Sequence, residues 1–163
     1  MHEPFLIDIL KFSSDSEETK HALMHWFWGN IERRRRILFK QYFKDFPFTT
    51  LDEYALLNLI SINHKITLTK ATTYLYLERS TTSEMLKRFC LKSITTMNFD
   101  TIDKRIKYFS LTSSGIEMVK EANKKMIELN AYLFKDIEQD TLFLDQLKVI
   151  YTELNKKSEA KYW

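Results

Sequence analysis

With 163 residues, 44% of them hydrophobic and 29% charged, the chain suits one core under an ordinary polar surface. Two glycines and two prolines are too few breakers for a glycine-rich phosphate loop or a many-turned β fold, so helices should dominate. One cysteine, Cys90, excludes an internal disulfide and a cysteine metal cluster, which fits a reducing cytoplasm. Met1 to Lys11 lacks the basic leader and length of a signal peptide, and no run nears the roughly eighteen apolar residues of a membrane span, so a soluble protein is expected. The net charge of +3 is concentrated: residues 79 to 107 hold seven Lys/Arg against three Asp/Glu, whereas residues 1 to 78 balance.

In chain order, apolar residues at helical spacing (Leu23, Phe27, Ile31, Leu38, Tyr42) predict a long helix from about Glu17 to about Asp45, stopped by Pro47. Trp26, Phe27 and Trp28 are consecutive and so apolar on more than one face, which suggests burial from two sides, as in a dimer arm. Thr50 and Glu53 have capping-box spacing and open a largely apolar helix reaching about Ile60. Ile66 marks a short strand, and Thr67 caps a helix from Leu68 to about Tyr76. A second helix is expected from Ser80 or Thr81 to about Lys92, with Thr81 and Glu84 again at capping-box spacing. The inward faces are expected to be Leu68, Ala71, Thr72 and Leu75, then Met85, Leu86 and Phe89.

The segment 94–115 is the most informative. Ile94 to Met97 favours a strand, Asn98 to Thr101 breaks it, and alternation resumes from Ile102 to Leu111 before Thr112-Ser113-Ser114-Gly115 opens a long helix to about Lys135. A last helix from about Thr141 to about Lys156 carries the apolar stripe Leu142, Leu144, Leu147, Ile150, Tyr151 and Leu154. A hydroxyl-rich helix start followed by a basic hairpin is the layout of a winged helix-turn-helix.

With these elements in order, the chain resembles the multiple-antibiotic-resistance regulator (MarR) family of bacterial transcription factors. Asp103-Lys104-Arg105 through Leu111-Thr112-Ser113-Ser114-Gly115 matches the family's wing pattern of Asp, any residue, Arg, then alternation ending in Leu-Thr-x-x-Gly. Arg79-Ser80-Thr81-Thr82-Ser83 sits where the family has a Ser/Thr-rich helix start, and Arg88 where a basic residue is common. The resemblance implies a mainly α fold with a small β-hairpin wing. One domain would span 1–163, with a DNA-binding head at 48–112 and helical dimerisation regions at 1–46 and 113–163. It further implies a cytoplasmic, non-enzymatic homodimer that binds double-stranded DNA, represses a promoter, responds to a small-molecule effector, and has no cofactor and no membrane partner. Ser93 in place of the usual glycine, Met97 in place of a basic residue, and Glu84 depart from the pattern. They leave an alternative: a winged-helix protein-interaction module with weak or lost DNA binding.

The expected DNA contacts are Ser80, Thr81, Thr82 and Ser83 at the recognition-helix start and Lys87 and Arg88 further along it. On the wing they are Lys104, Lys107 and Arg105, the resemblance implying that Arg105 enters the minor groove with Asp103 fixing its guanidinium. Ser80 and Thr81 could instead cap the helix. Arg33-Arg34-Arg35-Arg36 points all round its helix, which favours links to acids over one nucleic-acid surface. His21 and His25, four apart, have metal-ligand spacing but no third firm ligand. Cys90 reads as a buried or inert thiol, and Phe12, Trp26, Trp28, Phe39, Tyr42 and Phe43 as core or interface before effector cleft.

Overall fold

The first helix, α1 (Glu17–Tyr42), ends where expected, ahead of Pro47. Phe39 in its last turn and Phe43 just past its end pack with Phe46, Phe48 and Tyr54 into an aromatic cluster. Phe39 and Phe43 are stacked at 4.4 Å between ring centroids, and Phe43 and Phe48 lie 5.6 Å apart. Phe39, Phe43 and Phe48 are buried, so these rings are core rather than cleft lining. The computed structural model describes residues 17–135 and 141–159, except the side chains of 18–22, 141–143 and 157–159. Phe12 and the N-terminal segment therefore lie outside the described residues.

Helix α2 (Leu51–Asn63) starts with the expected capping box. Thr50 Oγ1 accepts from Glu53 N at 3.2 Å, and Glu53 Oε2 accepts from Thr50 N at 3.0 Å and from Thr49 N at 2.7 Å. Leu56, Leu57 and Ile60 are fully buried, and each such side chain contributes about 1.5–3 kcal/mol of burial. Strand β1 (Ile66–Thr67) leads into α3 (Leu68–Leu75), capped by Thr67, whose hydroxyl accepts from Lys70 N at 3.2 Å. Helix α4 (Arg79–Leu91) follows after a short turn. Ala71, Met85, Leu86 and Phe89 close the core as expected, while Leu68, Thr72 and Leu75 are half-buried.

Strands β2 (Thr95–Phe99) and β3 (Lys107–Leu111) form the hairpin, and β1 pairs on the other side of β3, giving the antiparallel order β1-β3-β2. The hairpin differs in one respect from the sequence expectation. The break falls after Phe99 rather than at Asn98, and 102–106 form a hydrogen-bonded tip instead of continuing the alternation. Pairing of Thr95 with Leu111, Met97 with Phe109 and Phe99 with Lys107 puts these six side chains on one face, where Phe109 is buried.

Helices α5 (Ser113–Phe134) and α6 (Thr141–Glu159) complete the described chain: six helices and three strands in these residues. The chain divides into two compact units, one ending at Ile116 and one beginning at Glu117. In the second, Val119, Ala122 and Leu129 are buried, whereas Leu144, Ile150, Tyr151 and Leu154 of the α6 stripe are exposed. The side chain of Leu142 lies outside the described residues. Among the described residues no helix is long and apolar enough to cross a membrane.

Candidate nucleic-acid interface

Helix α3 stops because Tyr76 turns into the left-handed region (φ 52°, ψ 39°) and its N–H bonds back to Thr72 O. The chain is redirected within three residues, and α4 begins at Arg79, earlier than Ser80 or Thr81. The Thr81–Glu84 capping box does not form. Glu78 is the N-cap and makes no side-chain capping bond, which places Thr81 inside the first turn. Thr82 corrects a further expectation: its side chain is fully buried and its hydroxyl donates to Glu78 O at 3.1 Å, so it cannot meet DNA. Ser80 and Thr81 remain exposed on that turn, and neither caps the helix.

Arg88 is also reassigned. Its guanidinium pairs with Glu53 Oε1, the other oxygen of the carboxylate that caps α2. Glu53 is buried, so this pair ties the end of α4 to the start of α2, and a phosphate role for Arg88 would leave a buried carboxylate without its cation. Lys92 is spent similarly, its Nζ donating to Pro47 O at 2.8 Å.

What remains on α4 is a stripe four residues apart: Arg79, Ser83, Lys87 and Leu91, with Cys90 beside it. These residues line a cleft of about 1000 Å³ together with Thr67, Leu68 and Thr69 at the start of α3 and Met97, Arg105, Ile106, Lys107 and Phe109 from the wing. The structure thus brings Ser83, Lys87, Arg105 and Lys107 together and adds Arg79, whose Nη1 donates to Thr69 Oγ1 at 3.3 Å. Arg79 and Thr69 were not among the expected contacts, although the Arg79–Ser83–Lys87 spacing carried the signal. Lys107 lies over the Phe99 ring at 5.5 Å, and across the sheet Lys65 lies over Tyr108 at 4.7 Å. Cys90 is half-buried in the cleft wall, with its sulfur 3.3 Å from Thr95 Oγ1.

At the wing tip Asp103 does not fix the Arg105 guanidinium; its Oδ1 accepts from the Arg105 backbone N at 2.9 Å. Asp100 Oδ1 accepts from the N–H groups of Ile102 at 2.9 Å and Asp103 at 3.1 Å. These bonds, Asp103 first and Ile102 second, hold the Asp100 carboxyl below the usual carboxylate range, helped by the Lys65 charge and Tyr108. A carboxyl depressed on folding stabilises above its ordinary range and loses that effect as pH falls through its folded value. The Asp100 carboxylate should therefore hold the tip at neutral pH and release it in acid. Lys104 and Arg105 are exposed, and their charged groups make no ion pair among the described residues.

The wing's base is locked by the Leu111-Thr112-Ser113-Ser114-Gly115 segment. Ser93 adopts φ 55°, the region glycine would favour, and its carbonyl accepts from Thr112 Oγ1 at 2.8 Å. Thr112 N donates to Ile94 O at 3.0 Å, and Thr112 Oγ1 accepts from Gly115 N at 3.0 Å. A Cβ on Gly115 would lie 2.2 Å from Ile94 O, which is why a glycine stands there.

Other candidates resolve less. Arg33 to Arg36 are all exposed, and Arg36 pairs with Glu32. His25 is exposed, the His21 side chain lies outside the described residues, and no group of three potential metal ligands occurs among those described.

No family model matches the chain, and no curated protein matches it. Solved structures do. The transcriptional regulator BldR from Sulfolobus solfataricus superposes with a TM-score of 0.72 at 16% identity, covering 85% of this chain and 99% of that one. AbsC, a MarR-family transcriptional regulator from Streptomyces coelicolor, gives 0.75 at 14% identity, covering 89% and 97%. A mutant MarR from E. coli complexed with operator DNA gives 0.71 at 16% identity, covering 86% and 99%. The helix order, the three-stranded sheet and these superpositions together identify the fold of this chain as the winged-helix fold of the MarR-family regulators.

Proposed function

We propose that this protein is a MarR-type, non-enzymatic transcriptional regulator that binds double-stranded DNA through the cleft between α4 and the wing. The observation that carries the reading is the convergence of Arg79, Lys87, Arg105 and Lys107 around one cleft walled by a helix-turn-helix and a hairpin. α4 would enter the major groove with Ser80, Thr81 and Ser83 nearest the bases, while Lys87, Lys104 and Lys107 hold phosphates and Arg105 reaches the minor groove. The fold's likeness to a regulator solved on operator DNA supports the same placement.

The finer reading is a homodimeric, cytoplasmic repressor on a pseudo-palindromic operator, with 48–112 as the head and 1–46 and 113–163 as dimerisation regions. Exposed apolar side chains on α1 (Met24, Trp28, Ile31) and α6 (Leu144, Tyr151, Leu154) are surfaces that a second copy would bury. Two-fold symmetry would place the recognition helices about 34 Å apart, and a small-molecule effector would act by shifting that spacing. The alternative, a protein-interaction module, draws support from Leu91, 87% exposed, and Met97, 43% exposed, at the cleft where cations would serve DNA better.

A fluorescence-anisotropy titration against duplexes selected from a randomised pool tests the choice. DNA binding predicts an affinity falling with salt at a log–log slope of about −0.9 per phosphate neutralised. Affinity independent of salt, or no selected duplex, would favour the protein-interaction module.

A further inference from the structure

The wing tip presents an apolar side chain where a phosphate-binding hairpin needs none. Ile102 is 93% exposed, the most exposed large hydrophobic residue among those described. It is not there through slack backbone. Its N–H is held by the Asp100 carboxylate at 2.9 Å, Asp100 N donates to Ile106 O at 2.9 Å, and Ile106 N donates to Asp103 O at 3.0 Å. The two tip carboxylates bind backbone N–H groups, while the charges of Lys104 and Arg105, two and three residues beyond Ile102, make no ion pair among the described residues. A β-branched side chain on a fixed backbone has few rotamers to lose on binding. Of the other exposed apolar residues at the hairpin's end, Phe99 is engaged by Lys107 and Ile106 is far less exposed than Ile102 and lines the cleft, so both are less suited to the task.

We propose that Ile102 is an apolar wedge that presses into the DNA minor groove beside Arg105, partly unstacking a base step and bending the duplex. The inference rests on the DNA-binding reading and adds to it a residue and a mechanical consequence. The adjacent cations fit the occupant: a groove walled by phosphates draws Lys104 and Arg105 in, and the apolar tip then meets the sugar and base edges on its floor. Apolar wedges of this type kink DNA by roughly 20–90° and favour flexible pyrimidine–purine steps, so Ile102 would confer sequence preference without a base hydrogen bond.

The test uses the full chain and a duplex selected by the protein from a randomised pool, labelled at both ends for energy transfer. The unaltered protein should shorten the end-to-end distance on binding. Ile102→Ser should weaken affinity about tenfold and reduce the bend, Ile102→Leu should retain both, and the thermal midpoint of each variant should be unchanged because the side chain is exposed. Replacing the tip-facing step by a stiff A-tract should penalise the unaltered protein more than Ile102→Ser. If Ile102→Ser binds and bends the duplex like the unaltered protein, the wedge is wrong and the DNA-binding reading stands. If the unaltered protein selects no duplex at any salt, that reading falls and the wedge falls with it.

Discussion

The recognition helix and the wing look alike in sequence, both basic, yet they use their cations differently. On α4, Arg88 is consumed by Glu53, and just beyond the helix Lys92 bonds to Pro47 O. On the wing, the charges of Lys104 and Arg105 face solvent, while carboxylates hold the backbone N–H groups of Asp103 and Arg105. The helix end spends charge on holding the head together, and the wing tip spends hydrogen bonds on holding charge out. A basic residue in such a motif is thus free for a ligand only where the fold has no prior use for it.

The comparison can be broken first at the corner that joins the two regions. Gly115→Ala would drive a methyl group into Ile94 O, and we expect about 2–3 kcal/mol of lost stability, read as a lower urea midpoint with unchanged slope. An unaltered midpoint would show that the corner yields freely and that helix and wing are not locked together.

Next in size is a matched pair of substitutions. Arg88→Gln should cost about 1–2 kcal/mol of stability, discounted because Arg88 is half-exposed and Glu53 keeps its N–H donors. Its DNA affinity, measured well below the unfolding transition, should barely change. Arg105→Ala should do the reverse, leaving the thermal midpoint in place, lowering affinity about tenfold and flattening the salt slope by about one unit. Equal effects of both variants on binding would erase the distinction.

The smallest expected effect is a gain. Ser93→Gly relieves a left-handed residue and should stabilise the chain by about 0.5 kcal/mol, after the extra freedom of the unfolded glycine is deducted, a rise in midpoint that calorimetry can read. A loss would mean that the Ser93 side chain contributes more than its backbone costs.

Short-range chemistry was the legible part of the sequence. Thr50 with Glu53, Thr67 and Ile66 stand where local patterns put them, and a hairpin forms where one was expected, because each depends on a side chain and backbone groups within a few positions. The same capping pattern misled at Thr81 and Glu84. There the turn at Tyr76 starts the helix sooner, and Thr82 faces inward, a matter of packing that the spacing does not encode. The Arg88–Glu53 pair spans 35 positions and has no local signature. The tip deceived differently: Asp103 and Arg105 suit one face of a strand, but carboxylate-to-backbone bonds curl the chain before a strand can form. Arg79 was readable from its four-residue spacing with Ser83 and Lys87, which puts the three on one face of α4.

One carboxylate has consequences for how such a sequence can change over time. Glu53 serves the backbone of Thr49 and Thr50 with one oxygen and Arg88 with the other. Neither position can drift alone without leaving a partner stranded, whereas a joint exchange for an uncharged pair of similar bulk could pass. Homologues should therefore show residues 53 and 88 varying together, a covariation tying two helices whose separate sequences give no hint of each other.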